Sequence, residues 1–277
     1  MRRAAIVSPV RTPVGKFLGG LSSVPVEDLC SVVVNEVVMR SGVDPALIED
    51  VIFAQSYANS ETPCVGRWAA LAGGLPIEVP GMQLDRRCGG GLQAIATAAM
   101  MVQTGAADVV LTGGVESMSN IEHYATGLRT GIRQGSLNLY DRLDRGRARS
   151  QPVDRFGEIS GMVETAENLA KQYQISREAA DEFAAESQRK AALAWESGVL
   201  NAEIVPVTEP QAKGEADVFD RDEGVRADTT AEPRSKLRPM IANGICTAGN
   251  SSQQNDAAAG CLIVAGDMLG PLGLEPV

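Results

Sequence analysis

The 277 residues contain a single histidine, His123, and aromatic side chains make up only 4% of the chain. One histidine makes the common His-rich metal sites a poor fit and leaves little material for imidazole acid–base chemistry. The five cysteines are Cys30, Cys64, Cys88, Cys246 and Cys261, and no two stand at the close spacing of a metal or redox site. No metal is therefore expected, and reduced thiols in a reducing compartment fit best. Positive charge is also short: 25 Lys and Arg stand against 35 Asp and Glu, a formal net charge of −10. That argues against nucleic acid as a partner, since phosphate binding needs a basic surface. No apolar run reaches membrane-spanning length, so no membrane partner is expected. The opening stretch "AAIVSPV" is too short for a signal-peptide core and runs straight into patterned sequence. A cytoplasmic protein is the default expectation.

What is present is an ordinary globular balance, with 44% hydrophobic and 22% charged residues, and abundant glycine (29 residues). Glycine and alanine with few aromatics favour helices packed tightly on a sheet. "RAAIVSPV" (3–10), "EDVIFAQSY" (49–57), "PGMQLD" (80–85) and "ADVVLTGG" (107–114) read as strands, the last buried on both faces. "VEDLCSVVVNEVVMR" (26–40) has apolar residues at 26, 29, 30, 33, 34, 37 and 38, one helical face. "GRWAALAGG" (66–74) reads as a short helix, and a helix after Cys88 carries Leu92, Ile95, Ala96, Ala99 and Met100 on one face. Strands alternating with helices predict an α/β fold with a mostly parallel, mixed sheet flanked by helices.

Beyond about 116 the character changes. Residues 128–156 are polar, Arg-rich and without period, and two helices follow at 161–173 and 176–198, the second with Ser176 as N-cap. Segment 209–238 is charged and reads as loop, and the sheet pattern returns at "NGICTAGN" (243–250) and "DAAAGCLIVAG" (256–266). The expected organisation is an α/β domain over 1–119, an inserted loop domain over 120–240, and a return to the first domain over 241–277. The arginines at 142, 145, 147 and 149 suit either phosphate binding or a solvated loop.

The segment "DRRCGGGLQAIATAAMM" (85–101) places Cys88 where a strand gives way to a helix, with Gly89, Gly90 and Gly91 behind it. A helix N-terminus favours the thiolate, which is the nucleophilic form. Glycines let the backbone approach a bulky ligand and leave N–H groups unshielded. The arrangement suits acyl transfer through a thioester. A buried structural cysteine in a Gly-rich turn is the competing reading.

The segments "RTPVGKFLGGLSSV" (11–24), "RRCGGGLQAIATAAMMVQTGAADVVLTGGVESMS" (86–119), "GMVETAENLA" (161–170) and "SKLRPM…TAGNSSQQNDAAAG" (235–260) resemble the thiolase family, the acetyl-CoA acyltransferases, in order and spacing. The resemblance implies a thiolase-like N-terminal half with its large insertion, and Cys88 as the acylated nucleophile. It implies thiolytic cleavage of a 3-ketoacyl-CoA, or condensation of two acetyl-CoA, with CoA and acyl-CoA as substrates and no prosthetic cofactor. It also implies a homodimer or homotetramer. It places Arg226, Ala248, Ser252, Met162 and Val153 against CoA, with ordinary packing open for Met162 and Val153 and a cap open for Ser252. Pro233 stands where some relatives carry a CoA-contacting serine, and Gly161 where some carry a histidine.

The family's activating histidine lies in a Gly-His-Pro segment, its second cysteine in a Cys-x-Gly segment, and its oxyanion hole in an Asn-Glu-Ala-Phe segment. None of the three is in this sequence, which stops at "GDMLGPLGLEPV", where the resemblance expects the second half to begin. His123 is a weak substitute for the base. Two further readings stay open: a non-catalytic CoA-thioester-binding or dimerisation module, and a ketoacyl-synthase-like condensing enzyme, against which the "TAEN" and "TAGN" segments speak.

Overall fold

In the computed structural model, residues 2–157, 161–209, 217–228 and 235–277 are described. The chain divides into two units: Met1–Asn120 with Asn201–Glu223 and Gln254–Val277, and Ile121–Leu200 with Gly224–Gln253.

The first unit is built on β5 (Val109–Ser117), whose residues are buried on both faces as the unbroken apolar run predicts. Its neighbours are β3 (Asp50–Ala54) on one side and β10 (Asn255–Ala265) on the other. β4 (Gly81–Leu84) extends the sheet past β3, and β1 (Ala4–Arg11) extends it past β10, giving the order β1-β10-β5-β3-β4. The two-residue β2 (Gly15–Lys16) also pairs with β10. β3 runs parallel to both β4 and β5, whereas β10 is antiparallel to β1, β2 and β5. The sheet is mixed, and its antiparallel share is set by β10, which enters from the insertion instead of from a βαβ crossover.

Alternation along the strands sends side chains to two cores. Val109, Leu111, Val51 and Phe53 pack with α1 (Val26–Ser41) and α2 (Val65–Ala72). Val110, Ile52, Ile263 and Cys261 pack with α3 (Gly90–Thr104). α1 buries Val26, Leu29, Cys30, Val33, Val34 and Val37, the face its periodicity predicts, and closes on Gly42 at φ 67°.

α3 departs from expectation. It buries Gly90, Ala94, Ala98 and Val102, while Leu92 and Met100 of the predicted apolar face are 74% and 53% exposed. Small residues every fourth position let the helix approach the sheet closely, and that contact takes precedence over the bulk of the leucine. Residues 201–223, which the sequence reading groups with the insertion, lie in the first unit. Val205 and Val207 join the α1-side core, and the hairpin of β8 (Val207–Glu209) and β9 (Asp217–Phe219) is antiparallel. Arg11 binds Glu203 at 2.7 Å and Asp222 at 2.8 Å.

The second unit has little buried apolar surface. A two-residue ladder joins β6 (His123–Tyr124) to β7 (Tyr140–Asp141), and Asp141 caps α4 (Arg142–Ala148) by accepting the Leu143 N–H at 2.7 Å. β7, α4 and α5 (Val153–Phe156) lie in the segment 128–156 that the sequence reading left without period. α6 (Met162–Tyr173) and α7 (Arg177–Glu196) match the predicted helices, and Ser176 caps α7 through the Ala179 N–H at 3.1 Å. Residues 243–250, read as a returning strand, form turns. Their backbone groups are taken up by Glu167 of α6 and by the Asn250 side chain instead of by a sheet. A short α8 (Leu269–Leu272) follows β10 in the first unit.

Candidate functional site

Cys88 stands in a single 3-10 turn, Arg87–Gly89, between β4 and α3. Its side chain is exposed, which overturns the buried structural alternative. The turn is held in an unusual conformation: Arg87 has φ 50°, the left-handed region that costs a residue with a Cβ. Asp85 accepts the Arg87 N–H at 2.8 Å, and the Arg87 guanidinium donates to the Ser56 carbonyl at 2.8 Å and lies 5.4 Å from the Tyr57 ring centre.

The three glycines divide their roles. A Cβ on Gly90 would come within 2.8 Å of the Ala54 Cβ, so Gly90 serves helix–sheet contact, while a Cβ on Gly91 would meet nothing within 4 Å. The N–H groups of Gly89 and Gly90 bond to the carbonyls of Arg86 and Arg87, so they are used inside the turn and not left unshielded as expected. A cleft of about 330 Å³ lies beside α3, lined by Gly91, Ile95, Arg11 and Glu203 among others. Cys88 is not one of its lining residues.

In the second unit, Asn250 organises the segment 245–252. Its Oδ1 accepts the Thr247 N–H at 2.7 Å, and its Nδ2 donates to the Ile245 carbonyl at 2.9 Å and to Asp181 at 2.8 Å. Glu167 of α6 accepts the N–H groups of Ile245 at 3.0 Å and Cys246 at 2.7 Å. Desolvation raises the Glu167 carboxyl, the N–H donors of Cys246 and Ile245 lower it by more, and the net shift is downward. On α7, Gln188 accepts the Arg226 N–H at 2.7 Å and donates to the Gly224 carbonyl at 3.2 Å. Asp181 and Gln188 are seven residues apart, so they share one face of α7, about 10 Å apart along its axis. One helix face thus holds the backbone at Arg226 and the side chain of Asn250.

A family model described as the N-terminal domain of thiolase matches residues 4–267. The chain belongs to the thiolase family. It is 38% identical over its whole length to a probable acetyl-CoA acyltransferase of Staphylococcus aureus, covering 70% of that protein. It is 39% identical, again over its whole length, to an acetyl-CoA acetyltransferase of Cupriavidus necator, covering 70% of it. Among solved structures, the Bacillus anthracis acetyl-CoA acetyltransferase superposes with a TM-score of 0.92 at 37% identity, over all of this chain and 69% of that one.

The positions that the thiolase resemblance assigns to CoA all lie in the second unit: Val153, Met162, Arg226, Ala248 and Ser252. All five are exposed. Met162 is 76% and Val153 48% exposed, so ordinary packing within their unit does not account for either. Ser252 caps no helix, and its hydroxyl donates to the Gln253 carbonyl at 3.1 Å. His123 belongs to the second unit and is exposed, in the ladder pair with Asp141. Pro233 lies outside the described residues. Sequence reasoning missed Asp181, Glu167 and Gln188 as organisers of this thiolase segment. The one signal available was an acidic residue, Asp181, one turn into a well-capped helix, and such residues usually face water.

The thiols differ in reactivity for physical reasons. Desolvation and the Glu167 carboxylate push Cys246 up to about 11, desolvation pushes Cys261 up to about 11, and desolvation raises Cys30 well above its ordinary value. Cys64 is half-buried, with its Sγ 3.6 Å from the Gly81 carbonyl. Iodoacetamide on the native chain should therefore modify Cys88 first, Cys64 more slowly, and the other three only on unfolding. Peptide mapping over time reads the order, and early labelling of Cys246 or Cys261 would contradict it.

Proposed function

We propose that this chain is an acyl-CoA acyltransferase of the thiolase type and that Cys88 carries the acyl group. The observation that supports it most is an exposed thiol on a strained turn at the start of α3, the one exposed thiol among the described residues. The Cys88 sulfur attacks the C3 carbonyl of a 3-ketoacyl-CoA, forming the acyl–sulfur bond as the C2–C3 bond breaks. The two-carbon fragment takes up one proton and leaves as acetyl-CoA, and the thiol gives up one proton, so the step balances. The thiol of a free CoA then attacks the acyl-cysteine, releases acyl-CoA and restores Cys88. Run in reverse, two acetyl-CoA condense to acetoacetyl-CoA. No electron carrier enters, and CoA serves as substrate.

In this reading Arg226 pairs with phosphate or stacks on adenine, as its exposed planar guanidinium allows. Ala248 and Ser252 line the pantetheine on a backbone segment fixed by Asn250, and Met162 and Val153 offer exposed apolar contacts. The reading places the protein in the cytoplasm, in the metabolism of fatty acyl chains. Among the described residues no helix is long and apolar enough to cross a membrane. It also takes the protein as a homodimer or homotetramer, which the open edge of β4 supports.

Intact-protein mass spectrometry after mixing with acetoacetyl-CoA tests the proposal. One acetyl group, mapped to Cys88 and lost in Cys88→Ala, is the expected result. No adduct on a folded chain, or the same adduct on Cys88→Ala, would overturn it. In the first case a CoA-thioester-binding or dimerisation module would be the better description.

A further inference from the structure

Glu116 is half-buried near the end of β5, and its carboxylate takes no part in the chemistry described above. Its two oxygens accept the N–H of Ser56 at 2.9 Å and the N–H of Tyr57 at 3.3 Å. Those two residues follow closely after β3. On their other side stands Arg87, which donates to the Ser56 carbonyl and covers the Tyr57 ring. Arg87 is the left-handed residue directly before Cys88. Two anchors therefore hold the turn: Asp85 locally, and the Ser56–Tyr57 backbone across the sheet end. The second anchor is fixed by Glu116.

We infer that Glu116 is a positioning residue for Cys88, fixing the Ser56–Tyr57 backbone to which Arg87 ties the strained turn. The inference rests on the reading of Cys88 as the nucleophile. Two carbonyl-like acceptors are needed side by side, which a carboxylate supplies and an amide does not.

The electrostatics agree with a positioning role. Desolvation raises the Glu116 carboxyl, the Ser56 and Tyr57 donors lower it, Asp85 raises it, and the net shift is upward. The charged groups of this platform are Glu116, Asp85 and Arg87. The sign follows directly: with a raised folded value, the fold favours the protonated acid, so stability from this group is greatest in acid and declines as pH rises through that value. Positioning runs the opposite way, because protonation places a hydrogen on an oxygen that must accept an N–H.

The test compares the parent chain with Glu116→Gln and Glu116→Asp. Rates of Cys88 labelling by iodoacetamide and of acylation by acetoacetyl-CoA would be followed by mass spectrometry. The range would run from about pH 8.5 to about pH 5.5, where Lys and Arg stay charged. Glu116→Gln should react roughly tenfold more slowly at the alkaline end. Its melting temperature should stay close to the parent's, and the gap should narrow as pH falls. Glu116→Asp keeps both acceptors and should recover part of the rate. Parent-like rates in Glu116→Gln at every pH, or a deficit that Glu116→Asp does not reduce at all, would overturn the inference. If Glu116→Gln fails to fold, a parent-like rate and pH profile in Glu116→Asp with its shortened reach would overturn it equally. Absence of acylation in the parent, with the iodoacetamide gap and its pH dependence intact, would sink the acyl-transfer reading and leave the positioning role standing.

Discussion

Gly113→Ala should lower the thermal midpoint of the first unit by roughly 6–12 °C, from an overpacking cost of about 3 kcal/mol. Gly113 sits in β5 between β3 and β10. A Cβ there would lie 2.1 Å from the Ala259 carbonyl oxygen, 2.7 Å from the Phe53 ring and 2.9 Å from the Gly260 Cα. Two of these three neighbours are backbone held in the sheet ladder, so no flexible side chain can move aside. The ring belongs to Phe53, which is fully buried in the α1-side core, so relief by rotation would open that core as well. Gly91→Ala is the matched control, because its Cβ would meet nothing within 4 Å. Alanine there should be neutral or slightly stabilising as a helix residue. Circular dichroism melts of the two variants check the contrast. A Gly113→Ala midpoint equal to that of the parent would show that the sheet yields where the packing says it cannot.

The second large effect is expected at Asp181. It is 2% exposed, receives the Arg177 Nε at 2.7 Å and the Asn250 Nδ2 at 2.8 Å, and so joins α7 to the segment 245–250. Asp181→Ala removes the carboxylate partner of a largely buried guanidinium and one of the two acceptors of the Asn250 amide. Breaking such a pair should cost on the order of 3 kcal/mol. The effect should be local as well as global, since Asn250 holds the Thr247 N–H and the Ile245 carbonyl. Denaturant titration should show a lower midpoint. Hydrogen exchange should show faster exchange across 247–250, with little change at Ile245 and Cys246 while Glu167 still accepts their N–H groups. Asp181→Asn keeps the shape and one acceptor, and should fall between. Unchanged exchange across 247–250 in Asp181→Ala would mean that the turns hold themselves without α7.

Much of the first unit was legible. The unbroken apolar run at 107–114 identified β5 as a strand covered on both faces, and the periodicity of 26–40 named the buried face of α1 residue by residue. Both readings depend only on how often apolar side chains recur along one chain. The face of α3 was not legible in that way. Leu92 and Met100 have the bulk that periodicity rewards, yet Gly90, Ala94 and Ala98 lie on the sheet, because a close approach to Ala54 and Gly114 needs small residues on the helix. The turns at 243–250 were misread for a related reason. Their apolar and small residues resemble a strand, but their backbone groups are satisfied by Glu167 and Asn250 and not by a neighbouring strand.

The sequence by itself determined the family, the strand–helix order of the first unit, the capped helices of the insertion, and the placement of one thiol before a Gly-rich helix start. Each is encoded locally, in side-chain period, caps and a short motif. Only the tertiary structure decided that β10 would run antiparallel to both β1 and β5. It alone decided that 201–223 would return to the first core. It also brought Glu116 to the Ser56–Tyr57 backbone within the first unit, and Glu167 and Asp181 to the segment 245–250 within the second. A carboxylate on an exposed helix and one buried against two N–H groups look alike in sequence, because what separates them is which donors the fold brings within 3 Å or so, and that depends on the whole chain.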